Sequence, residues 1–230
     1  MAVAVCFTSL TTFAQKTADD VIQKHIDATG GEKNWDKIKS VKIVGGLSAN
    51  GMDVAVTQTI INNKAYRMDI SLMGQNGYTI MSDKGAWQFM PFMGDTEPKK
   101  LSAEQIASNK DKMNFKNAVM ANKAAIEKAT LDGNDTINSI PCIKVKVTNK
   151  DGNESVCYFD AATYYLVKQD MKVKMQDDEQ EVYLTFSNFK KQPEGIVIPM
   201  TFGTPQGDMV IKSIEINKKI DEKIFTLENK

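Results

Sequence analysis

Histidine is almost missing from this sequence: 230 residues hold one, His25. Zinc sites and Ser-His-Asp hydrolases draw on histidine as ligand or base, so both chemistries lose their usual reagent. His25 itself falls on the apolar stripe of a helical segment, where a residue at the core edge is the plain reading. CxxC, HExxH, P-loop and GxGxxG spacings are also absent. Gly45-Gly46 lies inside a strand pattern and reads as a bend or bulge rather than a phosphate cradle. The acidic pairs Asp19-Asp20 and Asp177-Asp178 sit at a helix start and a turn, where dipole and turn chemistry account for them. No catalytic residue, metal site or cofactor is expected, and the chain reads as a non-enzyme.

Charge of one sign is lacking too. The 29 basic and 29 acidic side chains balance and are interspersed, which leaves no field to attract a phosphate backbone. Nucleic acid is not an expected partner. Arginine, the side chain suited to forked recognition of carboxylate or phosphate, occurs once, as Arg67.

No hydrophobic run is long enough to span a bilayer. Residues 1–15, MAVAVCFTSLTTFAQ, read as a secretory apolar region ending at Thr12-Phe13-Ala14, with residues 1–14 removed as a signal peptide. A basic n-region is missing, which places the expected start of translation upstream. The alternative is a buried first strand. Cys6 has only Met1-Ala2-Val3-Ala4-Val5 before it, too short for the apolar region acylation needs, and is not expected to be acylated. Of the three cysteines, Cys142 and Cys157 remain. A tight hairpin at Lys150-Asp151-Gly152-Asn153 puts Cys157 opposite about residue 146, leaving Cys142 about 13 Å out of register. Free thiols are expected.

What is present is strand pattern. Thr17 with Asp20 forms a capping box, Val21, Ile22, His25 and Ile26 form a helical stripe, and Gly30-Gly31 supplies the stop. From Ser40 onward the apolar period becomes two, with turn signals at Asn50-Gly51, Asn62-Asn63, Gln75-Asn76-Gly77 and Lys84-Gly85. Between Pro98 and Ala129 the alternation stops, and helix-forming runs at Ser102-Ala103-Glu104 and Asn122-Lys123-Ala124 flank Met113, Phe115, Val119 and Met120. Strand signals resume from Ile140 to Ile216, giving about eleven strands in all. No repeat and no linker divides the chain.

Apolar supply is the informative feature. Tyr66, Met68, Ile70 and Leu72 alternate down one strand, and Tyr165, Val167, Met171, Val173 and Met175 down another, opposite Lys168, Asp170, Lys172 and Lys174. A long sheet with one oily face must curl on itself or be covered by helices. Thirteen methionines, among them Met68, Met73, Met81, Met90, Met93, Met113 and Met120, either fill core gaps or give a surface that repacks around apolar ligands.

Tyr66-Arg67-Met68 followed by Ser82-Asp83-Lys84-Gly85-Ala86-Trp87-Gln88-Phe89-Met90-Pro91-Phe92 resembles the LolA lipoprotein carriers, as does the order of capped helix, hairpins, helical insert and further strands. The opening Ala18-Asp19-Asp20-Val21-Ile22 with Gly30-Gly31, and the stretch from Phe159-Asp160 to Leu166-Val167, resemble exported LolA/LolB-like proteins of Bacteroidetes type. The resemblance covers roughly residues 16 to 225. It implies a mainly β (α+β) fold: an unclosed antiparallel β-barrel with an N-terminal helix and a helical lid insert, residues 15–230 forming one lipid-binding domain. It implies a soluble periplasmic carrier, monomeric, taking acyl chains of lipoproteins or similar lipids from an inner-membrane donor toward an outer-membrane acceptor.

On that resemblance the cavity and lid candidates are Tyr66, Met68, Ile70, Leu72, Ile80, Trp87, Phe89, Met90, Phe92, Met113, Phe115, Val119, Met120, Met171 and Val173. Arg67 matches the family's arginine that bonds lid backbone and keeps the empty cavity closed. Alternation puts Arg67 opposite Tyr66 and Met68, so either a bulge reorients the strand or Arg67 is a surface ion-pair partner. The rival to the carrier is an envelope structural or protein-interaction domain whose barrel is filled by its own side chains.

Overall fold

Thr17 starts the first helix by closing a capping box. Its hydroxyl accepts from the Asp20 amide at 3.1 Å, while its own amide donates to the Asp20 carboxylate at 2.9 Å. These bonds hold the Asp20 carboxyl below its ordinary range. The computed structural model describes residues 17–49, 52–117, 120–175 and 178–227; residues 1–14 and the expected Asn50-Gly51 turn lie outside them.

Helix α1 (Ala18–Ala28) buries Ala18, Val21, Ile22, His25 and Ile26, a single stripe at helical spacing. It stops at Gly30, whose φ of +120° suits glycine and whose missing Cβ would stand 2.5 Å from the Gly195 carbonyl oxygen. A one-turn helix, α2 (Glu32–Trp35), follows.

Thirteen strands then form one antiparallel sheet: β1 (Ser40–Ala49), β2 (Met52–Ile61), β3 (Ala65–Leu72), β4 (Gln75–Ser82), β5 (Gly85–Phe89), β6 (Lys99–Lys100), β7 (Ile126–Ile137), β8 (Ile140–Asn149), β9 (Glu154–Asp160), β10 (Leu166–Met175), β11 (Asp178–Lys191), β12 (Val197–Thr204) and β13 (Gly207–Ile216). Their order is β6-β5-β4-β3-β2-β1-β13-β12-β11-β10-β9-β8-β7. Every neighbour is sequential except β1 and β13, so the first and last strands lie side by side in the middle of the sheet. The two open edges, β6 and β7, are consecutive in sequence and joined only by residues 101–125.

Sequence pattern anticipated eleven of these strands. It missed β6, two lysines long, and β7, an edge strand exposed along most of its length that shows no apolar alternation. Two turns also move. The β3–β4 turn is Met73-Gly74, both at positive φ, and Gln75-Asn76-Gly77 already belongs to β4. The β1 register shifts between Val44 and Gly45 where it meets β13, so the Gly45-Gly46 pair does mark an irregularity.

Segment 101–125 is less helical than its composition implies. Ser102 caps a seven-residue helix, α3 (Ala103–Asn109), and short 3-10 turns follow at Lys110–Met113 and Lys123–Ala125. The expected helix at Asn122-Lys123-Ala124 is one such turn. This segment, α1 and α2 lie on one face of the sheet, where two apolar clusters form. One joins Trp35, Val41, Ile60, Tyr66, Met81, Leu101, Phe115, Ala121, Ile198 and Ile216. The other joins Val21, Ile22, Ile26, Met120, Val145, Cys157, Phe159, Leu166 and Phe186.

The opposite face carries the C-terminal segment. Phe225 is buried against Ala65 and Ile80, with Ile61, Tyr78, Trp87, Ile220 and Ile224 packed around them.

Candidate functional site

The candidate site is the covered face of the sheet, and pairing register decides which side chains reach it, because residues directly opposite on adjacent antiparallel strands share a face. Tyr66 pairs with Ile60 on β2 and Met81 on β4, Met81 with Ala86 on β5, and all four are buried in the first cluster. Met68 is half-buried against them. Ile70 and Leu72 follow on the same face at the period of two and are half-buried. Ile70 pairs with Gly77, and the space a Cβ would take at Gly77 is filled by the Met90 sulfur and the Phe92 ring, each 2.9 Å from that point. Met113 packs half-buried against the first cluster; Phe115 is buried within it, 6.0 Å from Trp35 with the rings tilted by 47°.

Met120 belongs to the second cluster, beneath α1. Met171 is half-buried and pairs with Ser155 on the face that holds Cys157. Val119 and the side chain of Val173 lie outside the described residues.

Three apolar candidates lie on the other face. Ile80 pairs with Arg67 and with Trp87, so these three share the side opposite Tyr66. Ile80 is buried under Phe225, and Trp87 packs beside it. Phe89 pairs with Tyr78 there, ring centroids 5.8 Å apart. Apolarity alone grouped them with the covered face; the C-terminal segment makes this stretch of the outer face apolar as well.

Arg67 reaches the same outer face without any bulge, since β3 keeps regular register with β2 and β4. Its Nε donates to Asp69 Oδ1 at 2.8 Å and its Nη1 to the Ile224 carbonyl at 2.6 Å, with the guanidinium 5.3 Å from the Tyr78 ring centre. The arginine is thus an ion-pair partner, and the backbone it grips belongs to the C-terminal segment, not to segment 101–125.

A bulge between Leu166 and Lys168 corrects the β10 pattern. Leu166 sits in the covered cluster, Val167 turns outward to Cys142 and Tyr158, and the covered face resumes at Gln169 and Met171. Cys142 and Cys157 lie on opposite faces and both thiols are free. The methionines divide: Met81, Met90 and Met120 are buried, while Met73 and Met93 are 80% and 77% exposed. His25 is buried, with Nδ1 2.9 Å from the Tyr164 carbonyl oxygen, an atom that can only accept, so Nδ1 carries the proton.

Two polar groups stand out in the first cluster. The Trp35 indole nitrogen is fully buried with no hydrogen-bond partner among the described residues. Tyr66 is 3% exposed, and burial pushes its hydroxyl up to about 12. An unmet buried donor costs about 1–3 kcal/mol. Sequence reading passed over Trp35 because an indole in an apolar segment reads as core.

Surface clefts lie elsewhere. One of about 320 Å³ opens between α1 and β7, lined by Asp19, Ile22, Lys123, Ile126, Glu127, Lys128 and Ala129. Another of about 410 Å³ lies against Lys168, Tyr183, Thr185, Gly203 and Asp208 on the outer face. Neither is lined by the Tyr66 cluster, whose space is taken by α2 and segment 101–125. Among the described residues no three His, Cys, Asp or Glu side chains gather as a metal site.

No family model matches the chain, and no curated protein matches it either. Solved structures do. A LolA superfamily protein from Nitrosomonas europaea superposes with a TM-score of 0.57 at 13% identity, covering 92% of this chain and 98% of that one. A DUF1329 family protein from Desulfovibrio piger gives 0.54 at 12% identity, covering 91% and 97%. A domain from Vibrio parahaemolyticus, designated an outer membrane lipoprotein-sorting protein, gives 0.50 at 12% identity, covering 89% and 97%. At these identities the likeness is one of fold: a LolA-like, unclosed antiparallel sheet with its helices on one face.

Proposed function

We propose, on the premise of this LolA-like fold, that the chain is an exported, non-enzymatic carrier that holds acyl chains of lipoproteins or similar lipids between the covered sheet face and segment 101–125. One observation carries the reading. The cover over Tyr66, Met68 and Met81 is a single irregular segment slung between the two sheet edges, held in the core by Leu101, Phe115 and Ala121. A packed second sheet could not leave; a segment with a few anchors can.

Magnitudes favour exchange. Leu101 and Phe115 contribute about 1.5–3 kcal/mol each on burial, whereas a chain of about 16 carbons gains about 0.8 kcal/mol per methylene, roughly 13 kcal/mol gross. Hydrocarbon entering the core therefore outweighs loss of the anchors, and their return on release limits the grip. Among the described residues no helix is long and apolar enough to cross a membrane; a periplasmic location, an inner-membrane donor, an outer-membrane acceptor and a monomeric state belong to the same proposal.

The filled core favours a second reading, an envelope structural or interaction domain that opens for nothing. Native mass spectrometry separates the two. A carrier retains acyl adducts when isolated from an envelope fraction or after exposure to lipid micelles. Protein that stays empty under both conditions overturns the carrier reading.

A further inference from the structure

Trp35 places a hydrogen-bond donor in an apolar cluster with nothing among the described residues to receive it. The Trp35 side chain is fully buried and its indole N–H has no partner among the described residues. Tyr66 belongs to the same cluster, where burial raises its hydroxyl. Around both stand Ile60, Met81, Leu101, Phe115 and Ile198, aliphatic or aromatic without exception. Folded proteins pair nearly all buried N–H groups, so this orphan asks for an acceptor that the described residues do not supply.

The missing acceptor has a definable chemistry. A neutral acceptor suits an apolar cluster better than an ionised carboxylate, which is costly to bury unpaired. It must also arrive with apolar surface that replaces the anchors of segment 101–125. A carbonyl oxygen offers two lone pairs and no charge. We infer that the covered core recognises the carbonyl of an ester or amide joining an acyl chain to its head group, with the Trp35 indole N–H donating to that oxygen. This rests on the reading of the covered face as an acyl site. It predicts preference for acyl esters and amides over ethers, alkanes and free fatty acids.

Titration calorimetry on lipid-free protein tests it with two soluble probes of equal chain length and head group: a decanoyl ester of maltose and decyl maltoside, whose glycosidic link carries no carbonyl. The ester is expected to bind about tenfold more tightly, the worth of one well-made buried hydrogen bond. Trp35→Phe keeps the ring, removes the N–H and brings the two probes to within about twofold of each other. Equal binding of both probes by the wild-type chain overturns the carbonyl preference and leaves the acyl site standing. Failure of both probes to bind overturns both. Should Trp35→Phe not fold, the indole proton resonance of Trp35 in the wild-type chain, told apart from that of Trp87 with W87F, decides: it moves downfield with the ester alone, and a resonance unmoved by the ester sinks the assignment.

Discussion

Trp35 and Phe115, 80 positions apart in sequence, meet at a ring-centroid distance of 6.0 Å and join the one-turn helix α2 to the segment that bridges the sheet edges. The contact is reinforced next door, where the Phe115 amide donates to Asn62 Oδ1 at 2.9 Å and the Asn63 amide donates to the Met113 carbonyl at 2.8 Å. Segment 101–125 is thus anchored at the β2–β3 turn.

Phe115→Ala removes the largest anchor. Unfolding in urea should show a loss of about 3 kcal/mol, the low end for a buried phenylalanine because the segment can partly collapse into the gap. Uptake of an aliphatic fluorescent probe should rise at the same time. Stability lost without any gain in uptake would mean that the segment does not open.

Arg67 binds the C-terminal segment, and Arg67→Gln should release it. Amide exchange in residues 222–226 is expected to quicken about tenfold, with little change in segment 101–125. If exchange instead quickens in segment 101–125, the arginine does help to close the covered face.

Alkaline stability should depend on two buried groups. Burial raises Cys157 from 9.0 to about 12 and Tyr66 from 10.0 to about 12. The folded state therefore holds these protons after the unfolded state has begun to lose them. Their stabilising contribution is full below pH 9 and declines as the pH climbs from 9 toward 12. Urea titrations across that range should show the decline, and a Cys157→Ala, Tyr66→Phe double variant should lessen it, the raised Tyr158 hydroxyl beside Asp170 accounting for part of the remainder. Neither Cys142 nor Cys157 should react with a thiol reagent at neutral pH until the chain unfolds.

Gly30→Ala meets two obstacles, a φ of +120° and a carbonyl oxygen 2.5 Å from the new Cβ. A loss of about 3 kcal/mol is expected by thermal or urea unfolding. A neutral result would mean that the α1 stop and the turn before β12 can move apart freely.

Much of this was legible in the residues. The Thr17–Asp20 box, the α1 stripe and the period-two runs of β1 to β5 are local signals, set by backbone capping and by which side of a pleat each residue occupies. What failed was also physical. Edge strand β7 carries no buried face and so no alternation. Ile80, Trp87 and Phe89 looked like covered-face residues because a segment more than 130 positions later, ending at Phe225, makes the outer face apolar there. The bulge at Val167 inverted two residues of β10, a one-residue event that composition does not record.

By itself the sequence determined that most of the chain is antiparallel strand with one oily side, that a helix caps the start, and that reagents for histidine-based catalysis are scarce. These follow from interactions spanning a few residues. Only the tertiary structure decided that β1 pairs with β13, that segment 101–125 ties the open edges together, that Arg67 faces the C-terminal segment, and that the Trp35 indole N–H ends among hydrocarbon with its proton unmet. Such facts depend on strand pairing over long sequence separations, where register and packing choose the partner.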